Sequence, residues 1–417
     1  MKLNKKTSQN IENIAIFICD SLRFDYTPKS IFDMGYSLKT IASSLYTASS
    51  FPSMISGLYP PKTGVHSWDD LLPRNLRGLL ELDGYNTSLW CETTWTDLPP
   101  DKSAIHKILG NPRGISLKDI EPPFIYIEDD KGGHCPYGLK FGEFMGGGCP
   151  DFYKEYGKKG IEELKKQYRK GIEISIDQFK NRLKTLNERG LTDNTLIVFT
   201  SDHGELLGEY GGLTGHGRPP CPELVYVPTV FIHKSLNQKD NDKNSIMRHV
   251  DLYPTISSLL NKKLYYETDG IDLNKNPQPS YGLNFRFGAY HKIKNKLKKI
   301  FTYKSSSIWD SNGGYIFHGL GRIRATTLFS YKLFIQRHPE FNFMIENSKS
   351  NISLKYKNSK KLIKHLTSSQ IKYQKPNMSK KEAEEIIKNY LVESKDFNEK
   401  DKIRRTVLRF KNLKNNN

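Results

Sequence analysis

Three aspartates stand where apolar runs give way to polar loops. They are Asp20 in "NIAIFICDSLRFDY", Asp130 in "FIYIEDDKGGHCPYG" and Asp202 in "NTLIVFTSDHGE". Histidines trail two of them: His134 follows Asp130 in a D-x-x-x-H spacing and His203 follows Asp202 directly, with His216 thirteen residues later between Gly215 and Gly217. Carboxylate oxygens and imidazole nitrogens gathered in one place suit Zn²⁺, Mn²⁺ or a related divalent ion. A fourth stretch, "YTASSFPSMISGLYPPKTGV" (residues 46–65), offers hydroxyls at Thr47, Ser49, Ser50, Ser53 and Ser56. A hydroxyl becomes a nucleophile only with a base or a metal beside it. One aspartate after a strand is an ordinary turn or cap residue. Three, with histidines behind them, point to a shared site, and glycines on both sides of His216 allow close approach of backbone to a ligand.

The elements that must position these residues are legible as patterns. "NIAIFICD", "FIYIEDD" and "NTLIVFTSD" are nearly continuous apolar runs, as expected of parallel strands buried on both faces. Between the last two, "GIEELKKQYRKGIEISIDQFKNRLKTLNERGL" repeats its apolar residues at helical spacing and stops at Gly190. Strand, helix and strand in this order imply an α/β fold, in which ligands sit beyond the carboxyl ends of the strands. After about residue 270 the texture changes. "NGGYIFHGLGRIRATTLFSYKLFIQRHPEF" alternates β-branched and aromatic residues with turn residues, and reads as a small antiparallel sheet. "SKKEAEEIIKNYLVE" reads as a helix with a capping box from Ser379 and Glu382. The expected division is a catalytic domain over 1–275, an antiparallel subdomain over 276–346 and a basic, partly helical extension over 347–417.

Composition narrows the classes. With 417 residues and 36% hydrophobic content, the chain can bury a large core. The formal charge of +19 is concentrated after His291, in runs such as "HKIKNKLKKIF" and "KYKNSKKLIKHL". Solvated surface accounts for such runs, and no nucleic-acid-binding signature accompanies them, so a nucleic-acid partner is not expected. Five cysteines without C-x-x-C spacing argue against a disulfide scaffold or a structural zinc site. They fit a reducing compartment. The N-terminal apolar run is short and ends on Asp20, so it reads as a first strand and not as a signal peptide. No run is long enough to span a membrane. A cytoplasmic protein is expected, of undefined oligomeric state.

The ordered pieces "SDHGELLGEYG", "GHG…PELVYVPTVF" and "HVDLYPTISSLL" resemble the sulfatase-like branch of the alkaline phosphatase superfamily, over about residues 14–260, with a weaker echo at "RIRATTLFSYKLF". The resemblance implies a central mixed, mostly parallel sheet sandwiched by helices, with a small C-terminal antiparallel sheet. It also implies a divalent ion (Zn, Mn or Ca, one or two per chain) held by Asp20, Thr47, Asp202 and His203. Family members place the nucleophile nine residues before the hydroxyl of a Ser-Gly or Thr-Gly pair. Counting back from Ser56-Gly57 gives Thr47. Arg23, Lys131 and Ser50 are the expected contacts for the substrate anion.

Departures from the family leave alternatives open. The stretch "TASSF" lacks the convertible Cys or Ser, the Pro and the Arg of the sulfatase C/S-x-P-S-R motif, so no formylglycine forms there. Ser21 stands where a second aspartate usually follows the first, and "GYNTSLWCETTW" lacks the usual lysine and histidine. What is left is closer to threonine-nucleophile members that cleave phosphodiesters or transfer phosphoryl-linked head groups. Asp130, His134 and His216 then form either a second metal site or, through the two histidines, an acid and oxygen-binding pair. The expected activity is metal-dependent hydrolysis of sulfate or phosphate (di)esters on an anionic substrate, with a glycan among the candidates. The alternatives are head-group transfer or a non-catalytic binding protein with a basic tail.

Overall fold

The computed structural model describes residues 11–92, 102–139, 148–216, 220–236, 246–286, 305–318, 327, 342–349, 351–367, 370–372 and 376–414. Its centre is a seven-stranded sheet. In chain order the strands are β1 (Asn13–Cys19), β2 (Tyr36–Ile41), β3 (Asn86–Glu92), β4 (Phe124–Asp130) and β5 (Thr195–Thr200). After a short hairpin of β6 (Leu206–Gly208) and β7 (Leu213–Gly215) come β8 (Tyr226–Ile232) and β9 (Ile246–Arg248). The order across the sheet is β3-β4-β1-β5-β8-β2-β9. The strands run parallel except β8, which is antiparallel to both of its neighbours.

The apolar runs are explained by burial on both faces. Ile14, Ile16 and Ile18 of β1 join one core, shared with the buried helices Thr47–Ser56 and Leu252–Leu259. Ala15, Phe17 and Cys19 point the other way, into a core shared with the helix Ile161–Glu188. Each fully buried Ile or Phe contributes about 1.5–3 kcal/mol relative to exposure. The long helix ends at Arg189, and Gly190 follows in the left-handed region.

The same alternation sorts the residues beyond the strand ends. Asp20 and Asp202 continue the phase of Ile14-Ile16-Ile18 and Leu196-Val198, so they lie on the side of the Thr47 helix. Parallel β1 pairs with β4 on one side and β5 on the other, Cys19 opposite Asp130 and Ile18 opposite Thr200. The three strands therefore end side by side.

A four-stranded antiparallel sheet follows: β10 (Gly282–Arg286), β11 (Ser305–Trp309), β12 (Gly313–His318) and β13 (Gln370–Lys372). Asp310 closes the turn between β11 and β12 by accepting from the N–H groups of Asn312 and Gly313 at 2.7 and 3.1 Å. Its fourth strand comes from residues the sequence assigns to the basic extension. The stretch 319–341, which also reads as strand, lies outside the described residues apart from 327. The helix Lys380–Lys414 begins as expected, with Glu382 N–H donating to Ser379 Oγ at 3.2 Å. All five cysteines are free thiols. Among the described residues, no helix is long and apolar enough to cross a membrane.

Candidate metal and nucleophile site

Thr47 is the first residue of its helix, with Tyr46 extended before it (φ −155°, ψ 125°). The N–H groups of Ser49 and Ser50 both close on the Tyr46 carbonyl at 3.0 Å. The helix stops after Ser56 at Gly57, whose φ of 70° suits a residue without Cβ. All ten helix residues are buried. Ser53 and Ser56 turn their hydroxyls back onto the carbonyls of Ser49 and Pro52. Thr47 differs, its Oγ1 lying 3.1 Å from His203 Nε2.

His203 is set by its other nitrogen. Nδ1 donates to the Gly204 carbonyl at 2.9 Å, so the Nε2 lone pair faces Thr47 and the aspartates. Asp202 Oδ1 accepts from the N–H groups of His203 and Ser21 at 2.9 and 3.1 Å. Its Oδ2 is buried without a hydrogen-bond partner among the described residues and lies 3.4 Å from His203 Nε2. Asp20 Oδ1 accepts from Ser21 Oγ at 2.8 Å and is 3.9 Å from the same nitrogen. Asp20, Asp202 and His203 each bring one ligand atom to within 4.8 Å of the others, and all three side chains are fully buried. Two carboxylates, an imidazole lone pair and an orphaned buried oxygen fit a divalent ion.

Electrostatics mark the same place. Burial works to raise the Asp20 carboxyl, but Lys131, His134 and His203 beside it hold it well below the usual range. Burial, and then the charge of Asp20, push Asp202 up. The Lys131 ammonium is ion-paired with Asp20 and, at 2.8 Å, with Asp129 Oδ2. Gly133 runs so close to this strand end that a Cβ would come within 2.3 Å of the Asp20 carbonyl oxygen.

A histidine flank closes the other side. The ring centroids of His203 and His216 are 4.3 Å apart, and those of His216 and His134 5.1 Å. His134 Nδ1 donates to the Cys135 carbonyl at 2.7 Å, and His216 Nδ1 meets Glu205 Oε2 at 3.1 Å. Glu205 is itself buried and accepts the hydroxyls of Tyr137 and Tyr153 on Oε1 at 2.9 and 2.7 Å. Desolvation lowers the His134 imidazolium to about 4.

The structure thus brings together Asp20, Thr47, Asp202, His203, Lys131, His134 and His216. It does not bring Asp130 to them. Asp130 follows the phase of Phe124 and Tyr126 onto the opposite face, accepting the Gly132 N–H at 2.9 Å. Two of the expected anion contacts are also committed elsewhere. The Arg23 guanidinium is 5% exposed and spans Asp25, Glu209 and the Glu205 carbonyl. Ser50 Oγ donates to the Ser44 carbonyl at 3.1 Å. Three buried residues escape the sequence reading: Asp129, Glu205 and His249. The last accepts Ser43 N–H on Nδ1 at 3.2 Å and, through Nε2–H, donates to the Ser201 carbonyl at 2.9 Å. It ties the approach to the Thr47 helix to the Asp202 loop. Only Asp129 left a signal, its in-phase spacing with Ile125 and Ile127.

The sulfatase family model matches residues 148–262. Over 335 residues the chain is 34% identical to a low-salt glycan biosynthesis sulfotransferase, Agl7, of Haloferax volcanii, covering 80% of this chain and 81% of that protein. The chain belongs to the sulfatase family. An ulvan-active sulfatase of Formosa agariphila is 22% identical over 285 residues, covering 54% of this chain and 55% of its own. Among solved structures, a Bacteroides thetaiotaomicron protein described as a sulfatase superposes with a TM-score of 0.57 at 15% identity, over 74% of this chain and 83% of its own. The phosphonate monoester hydrolase of Agrobacterium radiobacter gives 0.53 at 13% identity, over 83% and 96%. At such identities the structures establish a shared fold; the family match with its 34% identical relative is what places the chain in the sulfatase-like branch of the alkaline phosphatase superfamily. Beside the Asp20 carboxylate, Ser21 adopts a φ of 63°, unusual for a residue other than glycine.

Proposed function

We propose that this protein is a metal-dependent enzyme that breaks a sulfate or phosphate ester through a covalent bond to Thr47. The observation that carries the reading is the 3.1 Å approach of Thr47 Oγ1 to His203 Nε2, beside the two buried aspartates. Asp20, Asp202 and His203 would hold the ion together with Thr47. When bound, it supplies Lewis acidity that makes the threonine hydroxyl reactive near neutral pH.

The remaining work falls to the chain. Thr47 sits at a helix N-terminus, where the first N–H groups have no intrahelical partner and favour an anion. Thr47 gives up its hydroxyl proton to solvent, and its Oγ1 bonds to the sulfur or phosphorus as the bond to the ester oxygen breaks. His216, oriented by Glu205, hands a proton to the leaving oxygen. Lys131 adds positive charge where non-bridging oxygens gather. Water or an acceptor hydroxyl then takes the group from Thr47. The Asp130–His134–His216 arrangement is weak support for a second ion, because Asp130 faces away, and the histidines suit proton transfer better.

The Haloferax relative, named a sulfotransferase of glycan biosynthesis, favours a second reading: a sulfuryl group passed to a sugar hydroxyl. One experiment tests both. The protein is incubated with aryl sulfate, aryl phosphate diester and aryl phosphonate, with Mn²⁺ or Ca²⁺, with and without an oligosaccharide acceptor. Aryl alcohol released without acceptor, together with sulfate, phosphate monoester or phosphonate according to the substrate, supports hydrolysis. Aryl alcohol released only with acceptor, with mass gained by the sugar, supports transfer. No turnover of any ester under any of these conditions would refute the ester-cleaving reading.

A further inference from the structure

The strand end holds one carboxylate more than the nucleophile and ion account for. Asp129 is fully buried, and its Oδ1 has no hydrogen-bond partner among the described residues. Its Oδ2 meets only the Lys131 ammonium at 2.8 Å, and that ammonium is also paired with Asp20. A buried carboxylate left with unfilled acceptor capacity is costly unless a cation faces it. Here the lysine plays that part and marks where positive charge collects. Asp20 shares both sides of this arrangement: Oδ2 faces the ammonium, and Oδ1 faces His203.

Register explains how Asp129 arrives there. In β4, Ile125 and Ile127 point into the core on the Thr47 side, and Asp129 is next in that phase, beside Ile18 of β1. Asp130, one residue on, faces the opposite layer. Meanwhile residue 21, where a second acid would follow Asp20, is a serine that only donates its hydroxyl to Asp20 at 2.8 Å. We propose that Asp129 supplies a third acidic group to the metal centre beside Asp20 and Asp202, from the neighbouring strand, at a site where residue 21 is a serine and brings no carboxylate.

Two effects give Asp129 this influence. Its charge adds to the negative field on the ion, and it shares the Lys131 ammonium that would otherwise neutralise Asp20 alone. Both predict tighter ion binding with Asp129 present. The inference rests on the proposed ion site at Asp20, Asp202 and His203.

The test is calorimetric titration of metal-stripped full-length protein with Mn²⁺ and with Ca²⁺, read as affinity and not as activity. Asp129→Asn is expected to weaken binding by about tenfold or more, the range seen when outer partners of a metal site are lost. Adding Ser21→Asp to Asp129→Asn should restore most of the loss. Asp130→Asn, on the opposite face, should leave affinity within roughly threefold of the parent. Lys131→Met should tighten binding, since it leaves both acids for the ion. It carries the test if melting curves show that Asp129→Asn does not fold. Unchanged affinity in Asp129→Asn, an equal loss in Asp130→Asn, no recovery with Ser21→Asp or weaker binding in Lys131→Met would each overturn the proposal. Absence of any ion binding by the parent protein would instead refute the metal reading on which it rests.

Discussion

The two flanks of the strand ends are built on opposite plans. Around Thr47, buried oxygens of Asp202 and Asp129 lack hydrogen-bond partners among the described residues, and Asp20 and Asp202 crowd one imidazole nitrogen. Around His134 and His216, each Nδ1 is fixed by an oxygen, and behind His216 the Glu205 carboxylate is saturated by two tyrosines. The acidic flank is short of positive charge; the histidine flank is preset for direction. In the proposed reading, one side holds a cation and the other directs protons. That division can be broken experimentally.

The largest expected effect is at Thr47. Thr47→Ala should lower turnover on the order of 10⁴-fold or more and abolish any covalent adduct, whereas Thr47→Ser keeps measurable activity. Mass spectrometry of peptides from protein trapped with substrate checks the position. Ser50→Ala should stay within about threefold, because its hydroxyl serves the Ser44 carbonyl. An adduct on Ser50 would put the nucleophile in the wrong register. Next in size, Asp202→Ala or His203→Ala should remove most of the bound ion and cut turnover about 10³-fold, as read by elemental analysis and steady-state rates. Retained ion in both would erase the contrast between the flanks.

A smaller effect is expected on the histidine side. His134→Gln and His216→Gln should each slow turnover about 10²-fold without changing ion content, and least for esters with good leaving groups. Ion content falling from two per chain to one would turn the second flank into a metal site like the first. The smallest effect concerns His249, whose imidazolium is lowered by burial from 6.5 to about 3. Below about pH 6.5 the unfolded chain binds a proton there that the native chain does not. The stability from neutral His249 is therefore full above that pH and is lost as pH falls, by about 1.4 kcal/mol per unit. Denaturant titrations between about pH 6.5 and pH 5 should show a shallower decline in His249→Gln.

The sequence reveals the acidic flank better than the histidine one. Asp20, Asp202 and His203 could be placed because unbroken apolar runs announce buried parallel strands, and residues just past such runs have few places to go. Thr47 is singled out only by the family resemblance, through its nine-residue distance to Ser56-Gly57. The choice between Asp129 and Asp130 is harder, since both end the same run and only the two-residue period of β4 separates them. Counting in phase from Ile125 and Ile127 selects Asp129. Arg23 could not be placed at all from local pattern: its partner Glu209 lies 186 residues away. The Glu205–His216 contact and the bridging by His249 are likewise contacts across loops with no periodic signature. β13 is a three-residue strand inside a lysine-rich stretch, too short for alternation to register.

The adjacency of β4, β1 and β5 has a consequence for what the site can hold. Neighbouring strands in a sheet lie about 4.8 Å apart, a spacing set by backbone hydrogen bonds and insensitive to side-chain changes. Asp129, Asp20 and Asp202 issue from three such neighbours. The sheet therefore acts as a fixed ruler, and the gap between carboxylates is graduated by peptide geometry. Substitutions in the surrounding loops can alter which anion enters or leaves. Widening or narrowing the space among these carboxylates would require moving a strand.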